Sequence, residues 1–175
     1  MDKPLVNRVA ASGLITINLE DFFPSEEVVV FDIKDYLYME LILKEKDFRA
    51  ALKEHDWAQY EHKNLVVFCS TDAIVPVWAY MLVAASAEPF AKRVFQGDED
   101  TFYKVVFNEA VNNIDAAQYD QKRIVIKGCS NKPVPPSAYV ALTQKLRPYA
   151  QSIMYGEPCS TVPIFKRPRV INKKK

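Results

Sequence analysis

Asp56-Trp57-Ala58-Gln59-Tyr60 and Asp115-Ala116-Ala117-Gln118-Tyr119 are nearly the same five residues, written twice, 59 positions apart. Extended without a gap, the match aligns residues 48–98 with 107–157, and fifteen of the 51 positions are identical. Lys63, Val66, Val75, Pro76, Ala79 and Tyr80 pair with Lys122, Val125, Val134, Pro135, Ala138 and Tyr139. Pro89, Ala91 and Gly97 pair with Pro148, Ala150 and Gly156. Chance would give roughly three matches at average residue usage. Self-similarity at a fixed offset is the signature of a repeated supersecondary unit.

Each copy spells helix, strand, helix, strand. Phe48, Ala51 and Leu52, then Phe107, Ala110 and Val111, recur at helical spacing. The D-x-A-Q-Y linker precedes a short apolar run, 65–68 or 124–126. Such continuous runs suit a parallel sheet covered on both faces. Pro76, and Pro135 with Pro136, stand where a helix starts, because Pro is tolerated in a first turn. Second strands follow at 93–96 and 152–155, closed by Gly97 and Gly156. Residues 14–19 and 28–32 read as two further strands, joined by the turn-forming Phe23-Pro24-Ser25.

The expected fold is therefore α/β: an open, mostly parallel sheet with helices on both faces. It is built from two duplicated βαβ-type units plus an N-terminal β-rich segment. One domain spans 1–175, with a covering segment at 1–45, repeat copies at 48–98 and 107–157, and a basic flexible tail at 166–175. The strand order expected puts the first strands of the two copies side by side at the sheet centre, with ligands favoured at their carboxyl ends. Residues 74–87, IVPVWAYMLVAASA, are apolar on all sides, whereas the matching helix carries Ser137, Thr143, Gln144, Lys145 and Arg147. An all-apolar helix needs cover on both faces, from the N-terminal segment or from a second subunit of a homodimer.

Composition narrows the function classes. The 175 residues are 49% hydrophobic and 26% charged, a globular balance. The run at 74–87 is shorter than the roughly 20 residues a bilayer span needs, so no membrane role is expected. MDKPLVNRVAASG lacks the apolar core of a signal peptide, which places the chain in the cytoplasm with its three cysteines reduced. Net charge is +1, but the last ten residues, KRPRVINKKK, hold six Lys or Arg. The remainder has 17 basic against 22 acidic residues, so a nucleic-acid partner is not expected: such binders carry positive charge on a folded face. With only four Gly and no Gly-rich strand-to-helix turn, a dinucleotide fingerprint and a P-loop are both excluded. Ser70 and Ser130 lack the Gly-x-Ser-x-Gly elbow of a hydrolase.

Three Cys-Ser pairs carry the chemistry that remains. Cys69-Ser70 and Cys129-Ser130 end the first strands of the two copies, and Cys159-Ser160 follows the last strand. On adjacent parallel strands, about 4.8 Å apart, Cys69 and Cys129 would share a ligand. The shift aligns Cys69 with Gly128, one position from Cys129, so the two thiols are not strict symmetry mates. Three thiolates suit zinc or an iron–sulfur cluster, with Asp72 the nearest further ligand by sequence. No Cys-x-x-Cys or zinc-finger spacing accompanies them. A thiol before a helix N-terminus also suits a reactive nucleophile. Helix N–H groups with Ser70, Ser130 and Lys132 would bind an anion. The plain alternative is that each Cys is a small buried residue and each Ser a helix cap. Trp57 and Trp78 read as core or interface anchors. Asp98-Glu99-Asp100 reads as the start of the next helix, where carboxylates are favourable.

Asn7-Arg8-Val9, Ser12-Gly13-Leu14-Ile15, Leu19-Glu20-Asp21-Phe22, Phe31-Asp32-Ile33-Lys34-Asp35 and Leu43-Lys44-Glu45-Lys46-Asp47-Phe48, with the segments around the three Cys, resemble an uncharacterised family. That family is a domain of unknown function of Bacteroidetes-type bacterial genomes, associated with gene neighbourhoods for iron–sulfur assembly. The resemblance covers most of the chain and implies no reaction or substrate. It implies an accessory factor in iron–sulfur or metal handling, with partners in that assembly, acting through Cys69, Cys129 and Cys159. The competing expectation is a non-catalytic interaction module with structural cysteines.

Overall fold

The computed structural model describes residues 13–128 and 131–168. Among these residues there are seven strands and four α-helices. In order they are β1 Leu14–Ile17, β2 Val28–Asp32, α1 Glu45–Glu54, β3 Asn64–Phe68, α2 Val77–Ala87 and β4 Arg93–Gln96. Then follow α3 Glu99–Asn113, β5 Arg123–Ile126, α4 Pro136–Leu146, β6 Ser152–Glu157 and β7 Ser160–Lys166. The class is α/β with mostly parallel strands, as expected. Among the described residues no helix is long and apolar enough to cross a membrane.

The strands do not form one sheet. They divide into β2-β3-β4 and β1-β5-β6-β7. The expectation that β3 and β5 lie side by side is thereby corrected. The cause is the N-terminal segment. A buried parallel strand needs a neighbour on each edge, and the segment supplies one to each copy. β2 pairs with β3 from Val28↔Asn64 to Asp32↔Phe68, and β1 pairs with β5 from Leu14↔Arg123 to Ile17↔Ile126. Both pairings are parallel, as are β3–β4 and β5–β6. Two compact units result: residues 24–103, and the residues on either side of them.

Within 24–103, Leu65 and Val67 of β3 face a core made with Phe31, Phe48, Leu52, Ala79 and Val83. Val66, on the opposite face, is also fully buried, so β3 is covered on both sides. Trp57 is buried and its indole Nε1–H donates to Leu52 O at 2.8 Å, which matches its expected role as an anchor. Asp98 Oδ1 accepts from Thr101 N–H at 2.7 Å and caps α3, whose first turn carries Glu99 and Asp100. In the flanking unit, Ile124, Val125 and Ile126 of β5 are all buried, with Leu142 and Leu146 of α4.

The 59-residue offset recurs in backbone bonds as well as in identities. Val77–Ala87 and Pro136–Leu146 are helices of the same length at that offset. D-x-A-Q-Y is a capped 3-10 turn in both places: Asp56 accepts from Ala58 N–H and Asp115 from Ala117 N–H, each at 3.1 Å. His62 and Gln121 both adopt a left-handed backbone, φ 61° and 55°. Each donates its N–H to the carbonyl of the residue three beyond the end of the following helix, Phe90 after α2 or Tyr149 after α4.

The two halves diverge after Gly97 and Gly156. Beyond Gly97 the chain enters α3, whereas beyond Gly156 it turns at Pro158-Cys159 and returns as β7, antiparallel to β6. A Cβ on Gly156 would meet Ser160 O at 2.5 Å, and its φ of 123° is open to glycine only. β7 was not expected from the sequence, where Pro163 breaks the strand pattern. Pro163 is tolerated because β7 is an edge strand, and the ladder shifts register at Ile153/Met154 beside it. The basic tail is corrected accordingly. Lys166 closes the β6–β7 ladder opposite Ser152, and Arg167 donates its N–H to Gln151 O at 2.9 Å and its guanidinium to Pro148 O. Residues 169–175 of the proposed tail lie outside the described residues.

Candidate functional site

The chain leaves β3 at Phe68 and reaches α2 through an irregular loop that begins Cys69-Ser70. Cys69 is half-buried against the core, and its Sγ lies 3.3 Å from Thr71 Oγ1. Burial, and then the neighbouring Cys69 thiol, push the Tyr80 hydroxyl pKa up. Cys69 thus behaves as a small packing residue. Asp72 is exposed beyond it. Cys129 and Ser130 lie outside the described residues. Cys159 is exposed at the tip of the β6–β7 turn, in the other compact unit from Cys69. Among the described residues no three His, Cys, Asp or Glu side chains are placed to hold a metal. The described donors therefore do not make a zinc or iron–sulfur ligand set. The shared sheet edge that was to unite Cys69 with Cys129 is absent, because β3 and β5 belong to different sheets.

The N–H groups expected to bind an outside anion donate to the chain's own carboxylates. Ser70 N–H donates to Asp32 Oδ1 at 3.0 Å, and Lys34 N–H donates to the same oxygen at 2.9 Å. Lys132 N–H donates to Glu20 Oε1 at 2.8 Å, joined there by Asn131 N–H. The Lys132 ammonium stands 5.0 Å from the centre of the Phe23 ring. Sequence reasoning missed Asp32 and Glu20, although a signal existed. Ile17-Asn18-Leu19-Glu20-Asp21-Phe22 and Phe31-Asp32-Ile33-Lys34-Asp35-Tyr36 share one pattern, a strand end followed by a 3-10 turn capped by Asn18 or Asp32.

His55 closes α1 inside a ring of aromatics. Phe31, Tyr36, Trp57 and Tyr60 all have ring centres within 6.5 Å of the imidazole. Tyr36 OH lies 3.1 Å from Nδ1 and Tyr60 OH 2.9 Å from Nε2. Gln59 Nε2 also faces His55 Nε2, at 3.3 Å. An amide NH2 has no lone pair to offer, so the imidazole Nε2 accepts and Nδ1–H donates to Tyr36. Burial lowers the His55 pKa, against the opposing pull of Asp56. Burial also pushes the Tyr60 hydroxyl up to about 12. At the 59-residue offset Tyr60 is matched by Tyr119, but His55 and Trp57 are matched by Ile114 and Ala116, so the imidazole cluster belongs to one half only.

A pH dependence follows. The folded protein resists protonating His55, while the unfolded chain takes up that proton near pH 6.5. The contribution is complete above 6.5 and is lost as pH falls below it towards the depressed folded pKa. Melting temperature measured against pH should therefore decline below about 6.5 in the native chain. His55→Gln should flatten that part of the profile. An unchanged slope would show that His55 titrates as an ordinary exposed imidazole.

Within one chain, the helix expected to need cover on both faces has it on one. Ala79, Val83 and Ala87 of α2 are buried, but Val77 is 74% exposed and Met81 66%, with Ile74 just before the helix at 93%. Uniform apolarity records the residues a helix carries, not the neighbours it has; β1 and β2 of the N-terminal segment went into the two sheets. Beside this stripe, α2 and the β3–β4 strands enclose an open groove of about 460 Å³, lined by Val67, Val77, Tyr80, Met81, Ala84 and Val94. The matching groove of the other unit, about 300 Å³, is lined by Ile126, Tyr139, Val140, Thr143 and Tyr155, with Ile164 added from β7. On α4 the exposed face is mixed, with Gln144 and Arg147 beside Val140, as expected.

No curated protein and no solved structure matches the chain. A family model does match, over residues 3–167, which takes in every described strand and helix. The chain belongs to the family described as protein of unknown function (DUF2480).

Proposed function

We propose that this chain is a non-catalytic interaction module and that the exposed face of α2, with the groove beside it, is where it docks. One observation carries this: Val77 and Met81 stand 74% and 66% exposed on one side of a helix that has no charged residue in it, with Ile74 93% exposed just before it. Contiguous apolar surface of this kind marks an interaction site in soluble proteins. Four groups with chemistry to offer are engaged in holding the fold. Asp32 and Glu20 cap loops, His55 is bonded to two tyrosines, and Cys69 packs against the core. A bacterial, cytoplasmic setting fits reduced structural thiols. The described geometry lends no support to iron–sulfur or metal handling through Cys69, Cys129 and Cys159.

The test is photocrosslinking in cells that make the protein. A benzophenone side chain at position 81 should give a discrete adduct, and one at the exposed position 54 of α1 should not. The adduct should survive Cys69→Ser and Cys159→Ser, and disappear with Val77→Asp. Equal background labelling at positions 81 and 54 would remove the docking face.

A further inference from the structure

The two halves treat equivalent grooves differently. Beneath α4, the chain closes the outer side of β6 with its own antiparallel strand, pairing Tyr155 with Val162 and Gly156 with Thr161, and Ile164 of that strand lines the groove. Beneath α2 the corresponding strand is missing: β4 is the edge of its sheet among the described residues. The occupant that fits there is an antiparallel strand that brings apolar side chains to Val77 and Met81.

We infer that a second copy of this chain supplies it, β4 pairing antiparallel with β4 about a twofold axis. This rests on the docking reading above and names the partner. The two three-stranded sheets become one of six strands, and the α2 stripes meet above it. The backbone is set for the pairing. Gly97 N–H donates inward to Val67 O, so by the alternation of a strand Val94 and Gln96 turn their N–H and C=O groups outward. The charges are set for it too. Lys92-Arg93-Val94-Phe95-Gln96-Gly97-Asp98-Glu99-Asp100 is basic at one end and acidic at the other. Antiparallel self-pairing puts each basic end against an acidic end, twice over; parallel pairing would set like against like. A twofold contact also closes on itself, so the exposed edge is consumed without leading to fibres.

The purified full chain should sediment as a concentration-dependent dimer. Met81→Glu occurs twice in a twofold interface and should weaken the dimer by at least about a hundredfold, with an unchanged circular dichroism spectrum. Lys92→Glu with Arg93→Glu in one chain, and Glu99→Lys with Asp100→Lys in another, should each weaken self-association. Mixing the two should restore a heterodimer. The adduct formed at position 81 should have the mass of two chains. A monomer at all concentrations, with an adduct of some other mass, would overturn the second-copy assignment and leave the docking reading standing. No adduct at all would overturn both. A dimer indifferent to Met81→Glu and to the charge swap would place self-association elsewhere and overturn the assignment.

Discussion

Phe48→Ala should destabilise the protein by about 3–5 kcal/mol, the range for truncating a large buried aromatic. Phe48 is 1% exposed. It projects from α1 edge-on to Tyr36, 5.4 Å between ring centres, and lies 6.3 Å from Trp78. Tyr36 in turn stacks on Phe31 at 5.1 Å, and Phe31 on Trp57 at 5.7 Å. Removing Phe48 opens a cavity in the middle of this chain of rings. The rings are fixed by β2, α1, α2 and two 3-10 turns, so the gap cannot collapse cheaply. Met81→Ala, on the exposed stripe, should cost the isolated chain under about 1 kcal/mol. Urea unfolding of both variants checks the contrast. A loss below about 1 kcal/mol for Phe48→Ala would mean that the cluster is loosely packed.

Asp32→Ala should cost about 2–3 kcal/mol, because one carboxylate oxygen serves two charge-assisted bonds, to Lys34 N–H and Ser70 N–H. It caps the turn after β2 and also fixes the loop that leaves β3. Burial tends to raise the Asp32 pKa. The bonds from the Ser70 side chain and from Lys34 and Ser70 N–H outweigh that and leave it below 3.8. A depressed acid stabilises the fold above its unfolded pKa, and the contribution is lost as pH falls from 3.8 through the folded value. Asp32→Asn keeps an acceptor but not the charge. It should be less costly than Asp32→Ala near neutral pH and should lose this acid step. The His55 step lies higher, below 6.5, so the two are separable in one titration of melting temperature. An acid limb unchanged in Asp32→Asn would show that the carboxylate is not held by these bonds.

Local features were legible in the sequence. The 59-residue offset placed β3, α2, β4 and their counterparts within a residue or two, because each is specified by neighbours a few positions away. The Asp caps of D-x-A-Q-Y and the acidic start of α3 are equally local. Strand order was not legible. It depends on where two short strands, Leu14–Ile17 and Val28–Asp32, find an edge, and their own residues are much alike. β7 was hidden by Pro163 and by the lysines and arginines that follow it. That one face of α2 is left uncovered by its own chain was not legible, because its side chains are as apolar as those of a helix covered all round. The thiol site rested on β3 lying beside β5, which belong to different sheets, and Cys129 lies outside the described residues; the docking face came from α2, seen with its neighbours in place.

The pairing of β1 with β5 has a consequence for synthesis on the ribosome. Residues 24–103 form a sheet from strands that leave in one continuous stretch. β1 leaves the exit tunnel before all of them, yet its partner, Arg123–Ile126, is translated after them. Leu14, Ile15 and Ile17 therefore wait unpaired while the intervening segment is made. Contacts so distant along the chain form late, since the closure entropy must be met before they can stabilise anything. β1, translated before the other described strands, is thus among the last of them to be secured, and for that interval it is an exposed apolar segment that a chaperone would cover.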